Sequence, residues 1–301
     1  MKKELTIVIP AGEKTEIKAL ETINRKNINV IVERGKNPSQ NRNRGASKAK
    51  TDFIAFINSH TLLDKSWLKE VLKFFKSHPE IDIVGGPQLN YPNEGFFARV
   101  SGYALSSVFG SAKVSTRYKK TRLNLQANES SITSANLICR RKVFEKVKFD
   151  ETLYPGEDPK FIDDAIKSGL KVAYSPAIIV YNLRRQSPRL LFKQVFNYGI
   201  TRPKKESIFQ TLKKPYFLAP ALFVLYLILL PSLILISNLM IFPLLIYLLL
   251  DLLFSLYESI KNNDILSSII LIFIFPIIHV GYGLGFLYGS IKKIWQRKNP
   301  S

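Results

Sequence analysis

Short apolar runs separated by polar segments fill the first part of the chain. Four such runs, at 5–10, 28–32, 53–57 and 81–84, each end at a polar or glycine-containing cluster. Runs of this length are typical of strands that are buried on both faces of a parallel sheet. The segment 67–75 places its apolar residues at helical spacing. This alternation of strands and helices predicts an α/β fold with a mostly parallel, doubly wound sheet.

Weaker patterns continue this organisation. Short strands are predicted at 137–139 and 172–174, and helices at 159–168 and 189–198. The last helix follows Ser187-Pro188, a favourable pair for an N-cap and a first helical turn.

Two segments are less regular. We expect a polar helix between the first strand and Asn24. The segment 95–125 is basic and rich in serine, glycine and aromatic residues, and we expect an irregular flap or acceptor-binding loop there.

Three long apolar stretches follow, at 217–236, 239–256 and 265–291. Each is about long enough to cross a hydrocarbon core of roughly 30 Å. The sequence therefore predicts four consecutive regions: a cytoplasmic domain at 1–200, a basic linker at 201–216, a membrane region at 217–291 and a basic tail at 292–301.

The number of membrane crossings is left open by the charges at the end of the chain. Three crossings from a cytoplasmic domain place the C-terminus outside, whereas the basic residues of the tail favour the inside; these are Lys292, Lys293, Arg297 and Lys298. One stretch could instead be re-entrant or lie in the membrane interface, and a proline in each stretch would permit a break; these are Pro231, Pro243 and Pro276.

The charge balance and the cysteine content narrow the class of protein. The formal net charge is +21, and the first 215 residues hold 39 basic and 20 acidic residues. Such a surface attracts anionic lipid, phosphorylated molecules or nucleic acid. No nucleic-acid motif is present, so we expect membrane lipid and a phosphorylated substrate, and no nucleic acid. The single cysteine, Cys139, excludes an internal disulfide and fits a buried position in a reducing compartment. The N-terminus lacks a signal-peptide pattern.

The polar clusters at the ends of the apolar runs resemble a known family. The first strand ends in Ile-Pro, the second in Glu-x-Gly, and Asn41-Arg42-Asn43-Arg44-Gly45 follows. Later come Asn58-Ser59-His60, Phe149-Asp150-Glu151, Glu157-Asp158 and a Gln194 motif. In order and spacing, residues 4–202 resemble the inverting family 2 glycosyltransferases, which have the GT-A nucleotide-diphospho-sugar transferase fold. The pattern Ser106-Ser107-x-Phe109-Gly110, with His60 and the glycines after His279, looks closest to exopolysaccharide enzymes of the succinoglycan type.

The resemblance implies a nucleotide-sugar donor and a divalent cation, manganese or magnesium. Donor-binding residues would be Pro10, Ala11, Glu33, Gly35, Arg42, Arg44 and Asn58. The Asp-x-Asp metal motif of the family is replaced by Asn58-Ser59-His60, so His60 and Asn58 would be the metal ligands, with imidazole the better one. Two alternatives stay open. Residues 58–60 would form a polar turn without a ligand role, and Arg42 and Arg44 would be surface charges at the start of a helix.

The resemblance also assigns the acid–base chemistry. Asp158, beside Glu157, would be the general base that takes the proton of an acceptor hydroxyl. The alternative is that Asp158 only caps the following helix. Acceptor-binding residues would be Gln194, Tyr198 and Arg202, although the segment also fits an interfacial amphipathic helix. Asn197 stands where processive enzymes have an arginine, which argues against a processive synthase.

These patterns together predict a multi-pass protein of the cell membrane with a cytoplasmic catalytic domain. The expected activity is transfer of a sugar from a nucleotide donor to a polyprenyl-diphosphate-linked saccharide, in the synthesis of cell-surface glycan. Two alternatives are transfer directly onto polyprenyl or dolichyl phosphate, and a catalytically degraded scaffold. Within the apolar stretches, Asp251 and His279 are ionisable candidates for function or packing. Four glycines predict close helix packing: Gly281, Gly283, Gly285 and Gly289.

Overall fold

The structure is a computed structural model that describes residues 3–298, without the side chains of Ile208, Arg297 and Lys298. The last three positions of the predicted basic tail lie outside the described residues. The chain divides into two compact units. The first contains the described residues up to Glu94 together with Val114–Leu183, and the second contains Gly95–Lys113 and the residues from Arg184 onwards.

The first unit is built on two sheets. The strands, in chain order, are β1 Leu5–Ala11, β2 Ile28–Arg34, β3 Phe53–Phe56, β4 Thr61–Leu63, β5 Ile83–Gly85, β6 Gln88–Asn90, β7 Leu137–Arg140, β8 Val172–Tyr174 and β9 Val180–Asn182. Six of them form the main sheet in the order β2-β1-β3-β7-β5-β8, and the other three form a small sheet in the order β4-β9-β6. Only β7 runs antiparallel to its neighbours in the main sheet, as far as the described residues extend. The predicted α/β class with a mostly parallel sheet is confirmed.

Ten α-helices are described. In chain order they are α1 Pro38–Lys48, α2 Trp67–Ser77, α3 Phe96–Ser106, α4 Val108–Ser111, α5 Glu157–Lys167, α6 Pro188–Lys205, α7 Ile208–Leu212, α8 Ala219–Ile236, α9 Phe242–Lys261 and α10 Ser267–Lys298.

The main sheet carries an apolar layer on each face. Trp67, Val71 and Phe75 of α2 pack on one face, and the Trp67 indole donates to Asn136 Oδ1 at 3.0 Å. The rings of Phe149 and Phe161 stack at 4.3 Å in the other layer. Cys139 lies in that layer with no exposed surface, and burial raises the pKa of its thiol. A buried, protonated thiol is a poor nucleophile, so the prediction of a structural cysteine is confirmed.

The predicted polar helix before Asn24 is wrong, because only the one-turn 3₁₀ helix Lys18–Glu21 forms there. The Arg34 side chain donates to the carbonyl oxygens of Gly12, Glu13 and Thr15 at 2.8, 2.9 and 3.1 Å. These three acceptors are gathered around one guanidinium, a geometry that competes with the helical hydrogen-bond pattern.

The predicted irregular segment at 95–125 is helical over α3 and α4. The residues of α3 include glycine, serine and valine, which are weak helix formers. Six of its eleven residues are buried, so packing within the second unit decides the conformation that local propensity does not.

Three helices of the second unit are long and apolar enough to cross a membrane, by length and composition. They cover Ala219–Ile236, Asn238–Lys261 and Ser267–Gln296. Within the most apolar 18 residues of each helix, 11%, 11% and 44%, respectively, are buried inside the protein. The helices run unbroken through Pro231 and Pro276, while Pro243 lies in the first turn of α9.

Glycines bring α10 into close contact with its neighbours. A Cβ on Gly285 would lie 2.1 Å from the carbonyl oxygen of Phe196 in α6, and one on Gly289 would lie 2.6 Å from that of Ile200. A Cβ on Gly283 would lie 2.3 Å from the carbonyl oxygen of Pro220 in α8. The prediction of close helix packing at these glycines is confirmed.

Candidate active site

The carboxyl ends of β1, β2 and β3 meet at one edge of the main sheet. β1 pairs in parallel with β2 on one side and with β3 on the other, so the order in which the strands are added to the sheet reverses at β1. In open α/β sheets ligands bind outside the carboxyl ends of the strands at such a switch point. Pro10 and Ala11 end β1, and Asn58 follows β3 by two residues.

The end of β2 adds two of the predicted donor-binding residues to this edge. Glu33 is the register partner of Pro10. The Gly35 amide donates to the Ala11 carbonyl at 3.0 Å. Gly35 has a φ of +154°, and a Cβ there would lie 2.9 Å from Asn41 Oδ1. The turn after β2 therefore requires glycine.

Glu33 is held as a carboxylate by two cations of α1. Its oxygens accept from Arg44 Nε at 3.2 Å and from Lys48 Nζ at 2.6 Å. Burial raises the pKa of the Glu33 carboxyl, but the hydrogen bonds from Lys48 and Arg44 outweigh burial and hold the pKa below its usual value. Arg44 also donates to the Arg34 carbonyl at 3.0 Å, and its side chain is half exposed.

Arg42 is buried and faces the predicted catalytic pair. Its Nη1 lies 2.8 Å from Glu157 Oε1 and 3.8 Å from Asp158 Oδ1. Its guanidinium also lies over the Phe149 ring, 5.3 Å from the ring centroid. Only 5% of the side chain is exposed, so the interpretation of Arg42 as a surface charge is wrong. The only hydrogen bond described for its guanidinium goes to Glu157.

Two asparagines tie α1 to the loop that leads to this pair. Asn43 donates to the Phe149 carbonyl at 2.9 Å and accepts from the Phe149 amide at 3.0 Å. It also donates to Glu151 Oε1 at 2.9 Å. Asn37 caps α1 by accepting from the Ser39 amide, and donates to the Glu151 carbonyl at 2.7 Å. Sequence reasoning missed Asn37 and gave Asn43 only as a member of the Asn41–Gly45 motif without a role, because α1 is polar and lacks the apolar periodicity that signals a helix.

Glu157 and Asp158 open α5 after Gly156, which has a φ of +112°. Gly156 is the N-cap residue, and Glu157 and Asp158 lie in the first helical turn. The alternative that Asp158 is only the helix cap is therefore wrong. A carboxylate in this position is stabilised by the positive end of the helix dipole.

The two acids differ in exposure. Burial, with the nearby charge of Asp158, raises the pKa of Glu157 to about 7, although Arg42 opposes this shift. The Asp158 side chain is 21% exposed, compared with 6% for Glu157. Among the described residues, Asp158 Oδ1 has no hydrogen-bond partner, and neither has Arg42 Nε. Asp158 is thus the more exposed acid of the pair, and its buried Oδ1 is left without a hydrogen-bond partner among the described residues.

Asn58 and His60 lie in the turn that connects β3 to β4. The Asn58 carbonyl accepts from the Thr61 amide at 3.1 Å, and the Ser59 carbonyl accepts from the Ala19 amide at 2.9 Å. Both side chains are half-buried. The turn offers an amide oxygen and an imidazole nitrogen, a donor set that suits manganese better than magnesium and lacks the carboxylate that hard cations prefer.

The predicted acceptor-binding residues lie on α6, in the second unit. Gln194 Nε2 donates to the Tyr198 hydroxyl at 2.8 Å, as their spacing of four residues allows. Arg202 lies elsewhere on the helix, 93% buried. It donates to Glu206 at 3.2 Å and lies 3.4 Å from the centroid of the Phe217 ring.

Residues 11–148 match the family model described as glycosyl transferase family 2. The chain contains a glycosyl transferase family 2 domain. The predicted family, GT-A fold and transferase class are confirmed, while the narrower resemblance to succinoglycan-type enzymes stays a prediction.

Two curated relatives match different shares of the chain. Pre-mycofactocin glycosyltransferase of Mycobacterium tuberculosis is 27% identical over 170 residues, which are 56% of this chain and 35% of that protein. The chain thus spans about a third of this relative. Dolichyl N-acetyl-alpha-D-glucosaminyl phosphate 3-beta-D-2,3-diacetamido-2,3-dideoxy-beta-D-glucuronosyltransferase of Methanococcus voltae is 24% identical over 302 residues, which are 97% of this chain and 89% of that protein. Among solved structures, TarS of S. aureus has a TM-score of 0.45 at 14% identity, covering 65% of this chain and 39% of TarS.

Replacing Arg42 tests its contact with the catalytic pair. Arg42→Gln leaves Glu157 buried without its counter-charge, which typically costs about 3–5 kcal/mol. We expect a lower unfolding midpoint in detergent and loss of turnover. Arg42→Lys, which keeps the charge but not the planar fork, should give intermediate values. Lys36→Gln removes an exposed charge from the loop before α1 and should change neither the unfolding midpoint nor turnover. Equal effects of Arg42→Gln and Lys36→Gln would contradict the role of Arg42 beside Glu157 and Asp158.

The raised pKa of Glu157 predicts a pH dependence of stability. The folded state binds this proton more tightly than the unfolded state, where the ordinary value is 4.5. The stabilisation is therefore complete below pH 4.5 and is lost as the pH rises through about 7. Glu157→Gln removes this titration, so its unfolding midpoint should rise relative to the wild type between about pH 5 and pH 8. A constant difference across that range would show that the Glu157 pKa is not raised.

Proposed function

We propose that this protein is a membrane-anchored inverting glycosyltransferase that transfers a sugar from a nucleotide-sugar donor to a lipid-linked saccharide. The Methanococcus voltae relative, which matches nearly the whole chain, carries a dolichyl-linked sugar phosphate in its name. That name supports an acceptor that is itself a sugar on a long-chain lipid phosphate, polyprenyl-diphosphate-linked in our proposal. The domain would face the cytoplasm at the cell membrane, in cell-surface glycan synthesis.

The observation that carries this proposal is the geometry of Asp158. A direct displacement at the anomeric carbon needs one base for the acceptor hydroxyl and stabilisation of the leaving diphosphate. The Asp158 side chain is partly exposed to solvent, and its buried Oδ1 has no hydrogen-bond partner among the described residues. The buried Arg42–Glu157 pair fixes the start of α5 that carries it. Asp158 is therefore the carboxylate of the pair that is both partly exposed and not committed to a hydrogen bond at Oδ1, as a general base requires, and Arg42 acts as a positioning residue.

The donor would bind at the carboxyl edge of β1 and β3. Pro10, Ala11 and Gly35 present backbone at this edge, and Glu33 would contact the nucleoside. Arg44, half exposed beside Glu33, is the better candidate for a diphosphate contact. Arg42 is less suited to that role, because its guanidinium is buried against Glu157.

Enzymes with this fold commonly use a divalent cation, and Asn58 and His60 would hold it in this chain. The cation would stabilise the negative charge that develops on the leaving diphosphate. An amide and an imidazole bind hard cations more weakly than paired carboxylates. We therefore infer a loosely held cation, for which the diphosphate of the donor supplies further oxygen ligands.

The proposed association with a membrane is supported by the second unit. Its three apolar helices supply the anchor, and the lysines between α6 and α8 favour anionic lipid; these are Lys204, Lys205, Lys213 and Lys214. Gln194 and Tyr198 on α6 would contribute to acceptor binding at the bilayer surface, and Arg202, buried against Glu206 and Phe217, would act there only by positioning this segment.

The general-base assignment predicts the effect of Asp158→Asn. Turnover should fall by roughly 100-fold or more, the usual scale for loss of a general base, while donor binding and the unfolding midpoint stay near those of the wild type. Asp164→Asn is a matched control, because Asp164 lies in α5 and bonds to Lys160 on the helix surface. Donor turnover is measured with full-length protein in detergent, with a lipid-linked saccharide as acceptor.

The choice of acceptor separates the proposal from its alternatives. A saccharide hydroxyl needs a base, whereas a polyprenyl or dolichyl phosphate is already anionic. Turnover on polyprenyl phosphate that survives Asp158→Asn would favour the direct phosphate acceptor. A screen of nucleotide sugars without any binding or turnover would favour the degraded scaffold.

The loosely held cation predicts opposite effects of two substitutions. Asn58→Asp adds a carboxylate beside His60 and should lower the manganese concentration that gives half-maximal donor binding. His60→Ala should raise that concentration. Calorimetric titration of the donor at several manganese concentrations measures both effects. If manganese changes donor affinity in none of the three proteins, neither residue is a metal ligand.

A further inference from the structure

A short loop of the first unit exposes two neighbouring apolar side chains. Only four large apolar or aromatic side chains are exposed in the described part of this unit, and they are Leu123, Leu125, Tyr154 and Ile166. Leu123 and Leu125 are 48% and 40% exposed, and a single residue separates them. Both lie in residues 119–126, the basic loop. Exposed apolar side chains that are scattered singly need no explanation, whereas neighbouring ones indicate a contact surface.

The charge of this loop has a single sign. Between Val114 and Asn128 the chain contains four basic and no acidic residues. Three of the four lie in the basic loop: Lys119, Lys120 and Arg122. Lys120 and Arg122 are exposed, and they come directly before the two leucines. Cations beside exposed apolar side chains favour a partner with an anionic surface and an apolar layer beneath it, which describes a lipid leaflet.

Hydrogen bonds hold the basic loop to the edge of the main sheet. Asn124 donates to the Tyr174 carbonyl at 3.0 Å and accepts from the Tyr174 amide at 2.7 Å, and the Ala127 amide donates to the Val172 carbonyl at 2.9 Å. The Tyr174 hydroxyl also donates to the Lys119 carbonyl at 2.8 Å. Both acceptor residues in the sheet belong to β8, the last strand in the sheet order. The leucines that flank Asn124 are therefore presented outwards from a fixed backbone.

The chain enters the basic loop shortly after it leaves the second unit. The segment Gly95–Lys113 belongs to that unit. Within it, the centroid of the Phe109 ring lies 4.9 Å from that of Phe254 in α9 and 5.0 Å from that of Phe275 in α10. Leu123 comes ten residues after the end of this segment, a length that extends at most about 36 Å. A membrane that holds the apolar helices is thus always within reach of the loop, whereas a soluble acidic partner must first diffuse to it.

We propose that the basic loop is a lipid-contacting surface of the glycosyltransferase domain. Leu123 and Leu125 enter the headgroup region of an anionic leaflet, and Lys120 and Arg122 contact its phosphates. The leucines supply a small apolar contact, and the cations supply an attraction that requires anionic lipid and weakens with salt. The contact holds the domain on the surface that carries a lipid-linked acceptor. It rests on the proposed membrane association and does not depend on the reaction.

Site-specific fluorescence of the full chain in liposomes tests this contact. A maleimide dye that reports on the polarity of its environment is attached at Leu123→Cys. Ile166→Cys is the matched control, because Ile166 is 41% exposed in the same unit, and the buried Cys139 should stay unlabelled. In vesicles that contain phosphatidylglycerol, the dye at position 123 should shift to shorter wavelength and be quenched by lipids spin-labelled near the headgroup, and the dye at position 166 should show neither effect.

Salt and lipid charge supply the outcomes that decide the test. In phosphatidylcholine vesicles or at high salt, quenching of the dye at position 123 should fall towards that of the control. Equal quenching at positions 123 and 166 in anionic vesicles, whether strong or weak, would overturn the proposal. Equal quenching at position 123 in anionic and neutral vesicles would show that the cations do not contact lipid phosphates, and would also overturn it.

The role of the two exposed cations is tested with the dye at Leu125→Cys. Lys120→Gln combined with Arg122→Gln should weaken the partition of the loop onto anionic lipid by about 25-fold, since each cation near such a surface contributes about fivefold. Arg25→Gln combined with Lys26→Gln is the matched control, because it removes two exposed charges from the same unit and gives the same net charge. Equal loss of quenching in the two double variants would show that net charge alone attracts the lipid, and would overturn the proposal.

Flotation of the same samples separates this inference from the proposed anchor. Protein that floats with the vesicles through high salt and alkaline carbonate is anchored by its apolar helices, and an unquenched dye at Leu123→Cys in that protein contradicts only the lipid contact of the loop. Protein that does not float contradicts the anchor and the loop contact together. None of these measurements needs turnover, so their failure is distinguishable from failure of the proposed reaction.

Discussion

The salt bridge between Arg42 and Glu157 connects two parts of the chain that are 115 residues apart in sequence. Arg42 comes from the polar helix that follows β2, and Glu157 opens the helix that carries the candidate base. Both side chains are almost fully buried. Each charge would be very unfavourable in that environment alone, so either both parts of the site are assembled or the first unit is destabilised.

Neighbouring contacts give this ion pair its geometry. Asn43 and Asn37 hold the backbone at Phe149 and Glu151, and the Phe149 ring lies under the guanidinium and stacks on Phe161 of α5. The same loop is thus fixed by hydrogen bonds on one side and by aromatic packing on the other. Asp158 stays outside this network apart from a 3.8 Å approach to Arg42. A carboxylate that is held in place without being consumed by strong hydrogen bonds is suited to accept a proton.

In the second unit, several contacts fix the position of α10. Glycines allow α10 to pack at backbone distance on α6, and Lys293 and Asp264 secure its two ends. Within this unit, His279 of α10 bonds to the Tyr247 hydroxyl at 2.9 Å and to the Phe109 carbonyl at 2.8 Å. The imidazole thus joins α4, α9 and α10, which agrees with the packing interpretation of His279. Asp251 is also buried and accepts from Ser255 at 3.4 Å.

The sequence by itself determined the strands of the main sheet, the polar clusters at their ends and the three apolar helices. These features depend on local periodicity and on segment length, which can be read from neighbouring residues. The sequence could not determine the helix α3, the partner of Arg42 or the role of Asn43, because each depends on residues about a hundred positions away or on burial against other helices. The same holds for α10. Its composition permits a membrane span, but only the tertiary structure shows that Lys293 and Asp264, near its two ends, contact residues 90 and 165 positions away.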